Sequence, residues 1–113
     1  MSEEPVCEAL FERLSDTDPE ALIALMPNLE VHDLTFAAEW LGRSKHHRAA
    51  EVLIPLLKHP AAVVREGAVY GLSNLEITNT IRFALLQHAD AEHEASPGVR
   101  EAAQEALDDL AGK

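Results

Sequence analysis

Apolar residues recur every three or four positions along almost the whole chain, which is the spacing that places them on one face of a helix. The pattern is clearest in Leu34–Leu41, Val64–Leu75 and Val99–Leu110. No segment alternates apolar and polar residues over the length that a strand requires. The sequence therefore predicts an all-α protein.

Breaks in the apolar pattern divide the chain into seven short helices. Prolines, glycines and polar runs fall between the apolar segments. The predicted helices cover residues 4–14, 19–29, 31–43, 46–58, 62–75, 78–89 and 97–110. Asp18 and Ser96 each precede a proline and are the predicted N-caps of their helices, and Thr78 or Asn79 is expected to cap the sixth.

The chain also matches itself at a fixed distance. Val64–Leu72 matches Val99–Leu107 at an offset of 35, and Leu56–His59 matches Leu85–His88 at an offset of 29. The last unit therefore carries six extra residues, which fall within Ala89–Gly98. A period of this length with two helices in each unit is typical of a solenoid.

A known repeat family shares this pattern. Val52–Pro60, followed by Val64–Ala68, resembles the HEAT repeat, in its short bacterial form related to phycobilisome-lyase HEAT-like repeats. In that family the first helix often contains a proline, as Pro55 does here, and the second begins with Val-Arg-Glu-x-Ala. The resemblance implies a right-handed α-solenoid and is specific for the fold, since the family includes scaffolds, lyase subunits and inhibitors.

The resemblance also implies how the chain is organised. We expect a single domain over residues 1–113, with a capping helix in 1–15 and three helix pairs in 19–43, 46–75 and 78–110. Family members commonly have an aspartate in the turn near the arginine of the second helix. The turns before Arg65 (60–62) and Arg100 (97–98) contain no aspartate. It is therefore open whether these arginines form the ion pair with a turn carboxylate that is usual in the family.

The repeat register makes a prediction about packing. A weaker copy at an offset of 31 places Phe36 and Trp40 level with Gly67 and Gly71. We expect the glycines to make room for the two aromatic side chains of the neighbouring helix. The alternative is that Trp40 lies on the surface as a binding anchor.

The same register gathers the outward-facing residues of the second helices into one grid. Its members are Glu39, Arg43, Glu66, Tyr70, Asn74, Glu101, Glu105 and Asp109. Because second helices line the concave surface in HEAT-like proteins, the resemblance implies an acidic groove with Tyr70 near its centre. Such a surface favours a basic, partly apolar protein partner, such as a Lys- or Arg-containing helix or loop. The alternative is that these residues form an ordinary solvated helix face.

Charge narrows the classes of partner. The 113 residues carry a net charge of −11, made up of −9 over residues 1–39, +3 over 40–89 and −5 over 90–113. This balance argues against nucleic acid as a partner, because a protein binds phosphates through Lys and Arg side chains clustered on one surface. A hydrophobic content of 47% excludes a charge-dominated disordered chain, and no apolar run approaches the ~18 residues of a membrane span.

The N-terminus and the cysteine content indicate the compartment. The first residues are acidic where a secretory signal is basic and then apolar, and Cys7 has no partner for a disulfide. We expect a cytoplasmic protein in which Cys7 is a small core residue.

Few residues of the sequence fit the pattern of a metal-binding, catalytic or cofactor-binding site. His46 and His47 would point about 100° apart on a helix, and the acidic residues near His88 and His93 follow no calcium-loop pattern, so no metal is expected. No serine or cysteine has the strand-turn-helix context of a nucleophile, so no catalytic residue is expected. There is no phosphate loop or dinucleotide motif, and no cofactor is expected.

The sequence is thus most consistent with a non-enzymatic protein-protein interaction module that presents an acidic concave face to a basic partner, with an inhibitor or immunity protein as one specific version. The alternative is a lyase-like or chaperone-like subunit acting on a chromophore or cofactor, which predicts a sizeable apolar pocket. The Ala89–Gly98 insertion is a second candidate for the binding site. The identity of the partner and the oligomeric state are left open.

Overall fold

The fold is all-α, as predicted. The computed structural model describes the backbone of residues 4–111 and the side chains of residues 8–109, so the prediction for Cys7 lies outside the described side chains. Within that part of the chain every regular element is helical. The elements are α1 (Glu4–Thr17), α2 (Pro19–Leu25) with a 3₁₀ turn (Met26–Asn28), α3 (Val31–Ser44), α4 (Ala49–Leu56), α5 (Ala62–Ser73), α6 (Asn79–His88) and α7 (Pro97–Ala111).

Side-chain caps begin three of the helices. Asp18 Oδ1 accepts a hydrogen bond of 3.2 Å from the Ala21 N–H at the start of α2, and Thr78 Oγ1 accepts one of 3.2 Å from the Ile81 N–H at the start of α6. Ser96 Oγ accepts a longer one, 3.4 Å, from the Val99 N–H. Each cap satisfies a backbone donor that the first helical turn cannot pair.

The helix α4 begins three residues later than predicted. The His46 N–H donates to Ser44 Oγ at 3.1 Å, and the Arg48 N–H donates to His46 Nδ1 at 3.1 Å. These side chains hold backbone donors in a turn, and the turn replaces the expected first turn of the helix.

The helices form two layers. In the first, which we call the inner layer, α1, α3, α5 and α7 contact one another in that order, while α2, α4 and α6 pack against them as a second layer. The core between the layers contains fully buried side chains such as Leu22, Leu53, Leu72 and Leu85. This arrangement agrees with the predicted α-solenoid of helix pairs.

The buried positions of the second-layer helices show that their predicted alignment is shifted by one residue. Leu53 and Leu57 are buried in and after α4, and Ile81 and Leu85 are buried in α6. The equivalent positions are therefore 28 residues apart, and the match of Leu56–His59 to Leu85–His88 was one residue out of register.

Glycines allow the backbones of α3 and α5 to approach closely. A Cβ atom on Gly71 would lie 2.6 Å from the carbonyl oxygen of Ala38, and one on Gly67 would lie 2.8 Å from that of Thr35. A Cβ on Gly42 would overlap the backbone of Gly71. The two helices can approach this closely only because these three positions have no side chain.

The prediction that these glycines accommodate Phe36 and Trp40 is therefore wrong. Trp40 lines a cleft with residues of α1, among them Ala9 and Ser15, and Phe36 lines another with Glu8. Equivalent positions on stacked helices face the same direction along the stack. Phe36 and Trp40 accordingly lie on the side of α3 that faces α1, just as Gly67 and Gly71 lie on the side of α5 that faces α3.

Candidate functional site

Part of the predicted grid comes together on the inner layer. Glu39 lies on α3, Glu66 and Tyr70 lie on α5, and Glu105 lies on α7, so three neighbouring helices of the inner layer contribute. Tyr70 is 40% exposed, and its hydroxyl donates a hydrogen bond of 3.4 Å to Glu66 Oε2. We call these four residues the inner acidic face.

The charges on this face are close enough to perturb one another. Partial burial raises the pKa of Tyr70, and the carboxylates of Glu66, Glu105 and Glu39 raise it further. Burial also raises the pKa of Glu39; Arg43 lowers it, and the carboxylates of Glu66 and Glu8 add to the increase. Glu39 and Glu66 thus repel each other, and all three carboxylates of the inner acidic face disfavour ionisation of Tyr70.

Glu8 extends this region onto α1 and was not predicted. It lies in the capping helix, outside the repeat alignment that identified the other residues. Glu8 lies three residues before the buried Phe11, a spacing that shares a helix face, yet its side chain is exposed, so the helical pattern did not identify it as a surface residue.

The other predicted grid residues contribute less directly. The Arg43 guanidinium lies over the Trp40 ring, 4.5 Å from its centroid. The Asn74 amide donates to the Tyr70 carbonyl at 2.9 Å, so it caps the end of α5. Glu101 and Asp109 are exposed on α7, and no described contact joins them to Tyr70. Partner binding by these residues remains a prediction.

The described ion pairs lie away from the inner acidic face. Arg48 pairs with Glu20 at 2.5 Å and with Glu51 at 3.2 Å, in and near the turn before α4. Among the side chains of residues 8–109, the carboxylates of the inner acidic face form no ion pair. Their negative charge is left for a partner or for solvent.

Trp40 is neither fully buried nor a free surface anchor. It is half-buried and lines a polar cleft of about 730 Å³ between α1 and α3, together with Arg13 and Arg43. The side chain therefore packs against the core with one face beneath the Arg43 guanidinium.

The insertion supplies the carboxylate that the turns lack. Glu94, whose side chain is 1% exposed, accepts from Arg65 Nε at 3.0 Å through Oε1 and from Arg65 Nη2 at 2.7 Å through Oε2. Arg65 therefore does form an ion pair. Arg100 instead donates to the Glu94 carbonyl at 2.6 Å, which is a hydrogen bond to backbone.

Two further groups hold Glu94 in place. His88 Nδ1 lies 2.7 Å from Oε1, and the Ser96 N–H donates to Oε2 at 2.9 Å. Burial would by itself raise the pKa of Glu94, but the hydrogen bonds from Arg65, Ser96 and His88 together lower it to about 2. This buried network makes part of the insertion a structural element.

Glu20, His46 and His47 form the one described group with the ligand spacing of a metal site. The two histidines do not diverge on a helix as predicted, because both lie in the turn before α4 and their rings stack with centroids 4.3 Å apart. However, His46 Nδ1 already accepts the Arg48 N–H, so the neutral ring carries its proton on Nε2, which lies 3.1 Å from Glu20 Oε2. Arg48 also pairs with Glu20, so these hydrogen bonds occupy atoms that a metal would need.

An apolar groove of about 440 Å³ lies between α2, α3 and α4. Its lining residues are Ile23, Met26, Pro27, Leu29, Leu34, Val52, Leu56 and His59. Its volume falls in the range of small-molecule sites. None of the described helices has the length and apolar character needed to cross a membrane.

The family described as PBS lyase HEAT-like repeat matches residues 35–59, which run from α3 through α4 and the turn after it. This match confirms the resemblance predicted from the sequence, although the Val64–Ala68 part of that resemblance lies beyond the matched residues. No curated protein and no solved structure matches the chain. A HEAT-like repeat indicates a protein-interaction or scaffold module.

Proposed function

We propose that the chain is a non-enzymatic protein-protein interaction module whose inner acidic face binds a basic protein partner. One observation carries the proposal. Carboxylates from three neighbouring helices of the inner layer act on an exposed tyrosine, Glu39 and Glu66 repel each other, and none of these carboxylates forms a described ion pair.

Repulsion of this kind favours binding of a cation. A Lys or Arg side chain placed between Glu66 and Glu105 would be attracted by both and would relieve their effect on Tyr70. The Tyr70 ring adds apolar contact area and a hydroxyl, a combination that is common in binding hot spots. A Lys- or Arg-containing helix or loop with an apolar residue between its charges fits this chemistry.

The more specific version is an inhibitor or immunity protein that neutralises a cationic target. A net charge of −11 on 113 residues favours fast, salt-sensitive association with such a target. This version commits the chain to one tight partner instead of many weak ones.

A pull-down at low and moderate salt tests the proposal. Wild type should retain a basic protein, and the double variant Glu66→Gln/Glu105→Gln should lose it. The control Asp16→Asn/Glu76→Gln removes the same charge from exposed positions on α1 and in the loop after α5, and it should retain the partner. If the inner-face variant retains the partner as well as the control does, the inner acidic face is not the site and the insertion becomes the candidate.

The second candidate function is a lyase-like or chaperone-like subunit acting on a chromophore. The apolar groove between α2, α3 and α4 favours it, together with the name of the matched repeat family. The purified chain is mixed with a phycobilisome chromophore, and absorbance is followed for binding and for turnover. Binding that is lost in Val52→Asp would support this candidate, and any turnover would end the non-enzymatic proposal.

A further inference from the structure

A second cleft, of about 460 Å³, lies where the α4–α5 turn meets the insertion. Its polar lining is Lys58, His59, Arg65, Gln87, His88, His93 and the buried Glu94. The geometry points to a binding site for a small oxyanion, that is, a phosphate or carboxylate group. This site is separate from the inner acidic face and does not depend on the function proposed for it.

Glu94 has already taken up the donors that face it from Arg65, His88 and Ser96, so the donors left for a bound anion include those of Lys58 and His59. Each of its oxygens accepts two hydrogen bonds, all between 2.7 and 3.0 Å, from Arg65, His88 and Ser96. A carboxylate has about four acceptor positions, so this one is saturated. Its role is to fix the Arg65 and His88 side chains at the wall of the cleft.

Apart from the Gln87 amide, which can donate or accept, the remaining polar groups of the cleft are donors or become donors on protonation. Lys58 is exposed and forms no described ion pair. His59 Nδ1 accepts the Ala61 N–H at 3.0 Å, so the neutral ring keeps a donor at Nε2. His88 and His93 each place Nδ1 against a carboxylate, at 2.7 Å from Glu94 and 3.0 Å from Asp90, so each gains an Nε2 donor when it is protonated.

Carbonyl groups at the adjacent helix end are already paired. The C-terminus of α4 would otherwise repel an anion. The Leu56 carbonyl accepts the His59 N–H at 3.1 Å, and Arg65 Nη1 donates to the carbonyls of His59 at 2.8 Å and Pro60 at 3.1 Å. The same guanidinium, with the Lys58 ammonium, makes the cleft unsuitable for a metal cation.

NMR of the histidine rings tests the site with internal controls. The chain has six histidines, of which His59, His88 and His93 line the cleft. Titration of inorganic phosphate at constant pH and ionic strength should shift these three ring signals saturably and leave those of His32, His46 and His47 unchanged. Equal shifts of all six signals, or shifts that do not saturate, would overturn the inference.

Two lysine variants locate the charge that holds the anion. Lys58→Gln should weaken phosphate binding about fivefold or more, because it removes one charge-assisted contact. The matched control Lys45→Gln, in the turn after α3, should bind as wild type does. Equal affinities for the two variants would contradict the assignment.

A second titration separates the sources of the oxyanion. Saturation by phosphate but not by a short glutamate peptide identifies a phosphorylated small molecule as the ligand class. Competition by the peptide identifies an acidic side chain of a protein. Saturation by neither probe overturns the inference.

Discussion

Arg65 and Glu94, which are 29 residues apart in the sequence, form a bidentate ion pair with Nε 3.0 Å from Oε1 and Nη2 2.7 Å from Oε2. The arginine comes from α5 and the glutamate from the insertion before α7. The pair therefore ties the last helix pair to the one before it. It also explains why the insertion can be long and still hold a buried carboxylate.

Glu94→Gln should destabilise the fold by about 3 kcal/mol, because it leaves the largely buried Arg65 without its counter-charge. The free energy of unfolding, measured by urea denaturation, checks this. Glu92→Gln alters an exposed neighbour in the same segment and should change stability by less than about 0.5 kcal/mol. Equal effects of the two variants would mean that the pair contributes little.

The same pair should make stability sensitive to acid. The pKa of Glu94 is lowered from 4.5 to about 2 in the folded protein, so the unfolded chain binds the proton more readily. The stabilisation is complete above about pH 4.5 and is lost as the pH falls towards 2, by about 3 kcal/mol in all.

Unfolding curves of wild type and Glu94→Gln over this acidic range isolate that contribution. The other carboxylates affect both proteins alike, so the difference in stability between them should shrink as the pH falls. A difference that stays constant from neutral pH to about pH 3 would rule out this account of Glu94.

Gly71→Ala should be strongly destabilising although alanine is the better helix former. Alanine gains about 1 kcal/mol in helix propensity, but its Cβ would lie 2.6 Å from the Ala38 carbonyl and force α3 and α5 apart. We expect a net loss of about 2 kcal/mol or more in the free energy of unfolding.

Gly98→Ala is the matched control for this substitution. Its nearest neighbours would be the Glu66 carboxylate oxygens at 3.7 Å, an ordinary contact. We expect it to be neutral or stabilising by up to about 1 kcal/mol. If Gly71→Ala is as stable as Gly98→Ala, the close approach of α3 and α5 is not required.

Titration of Tyr70 tests the inner acidic face without a partner. Tyr70 is the only tyrosine of the chain, so the near-ultraviolet absorbance of tyrosinate reports on it alone. Its pKa should lie above the ordinary 10.0, because of burial and then of Glu66 and Glu105. Glu105→Gln should lower it towards that value.

Glu92→Gln provides the control, since it removes the same charge from the insertion. It should leave the Tyr70 titration where wild type has it, with circular dichroism confirming that each protein is folded at the pH used. An unchanged titration in Glu105→Gln would show that this carboxylate does not act on Tyr70.

Local patterns in the sequence predicted the helices, with the start of α4 placed three residues too early. Asp18 and Thr78 cap helices because a short oxygen-bearing side chain pairs an otherwise free backbone donor. The repeat register also identified Glu39, Glu66, Tyr70 and Glu105 as one surface, because equivalent positions on stacked helices face the same way. These are properties of neighbouring residues and of regular repetition, and a sequence records both.

Contacts between distant segments were decided only by the tertiary structure. Helical periodicity indicates which face of a helix is buried, but it does not identify the neighbour that covers that face. Gly71 therefore faces the α3 backbone instead of Trp40, and Glu8 joins the acidic surface from a helix outside the repeat. Arg65 pairs with Glu94 because the irregular insertion brings the Glu94 side chain back to the turn before α5. The insertion has no sequence periodicity, so its path could not be predicted.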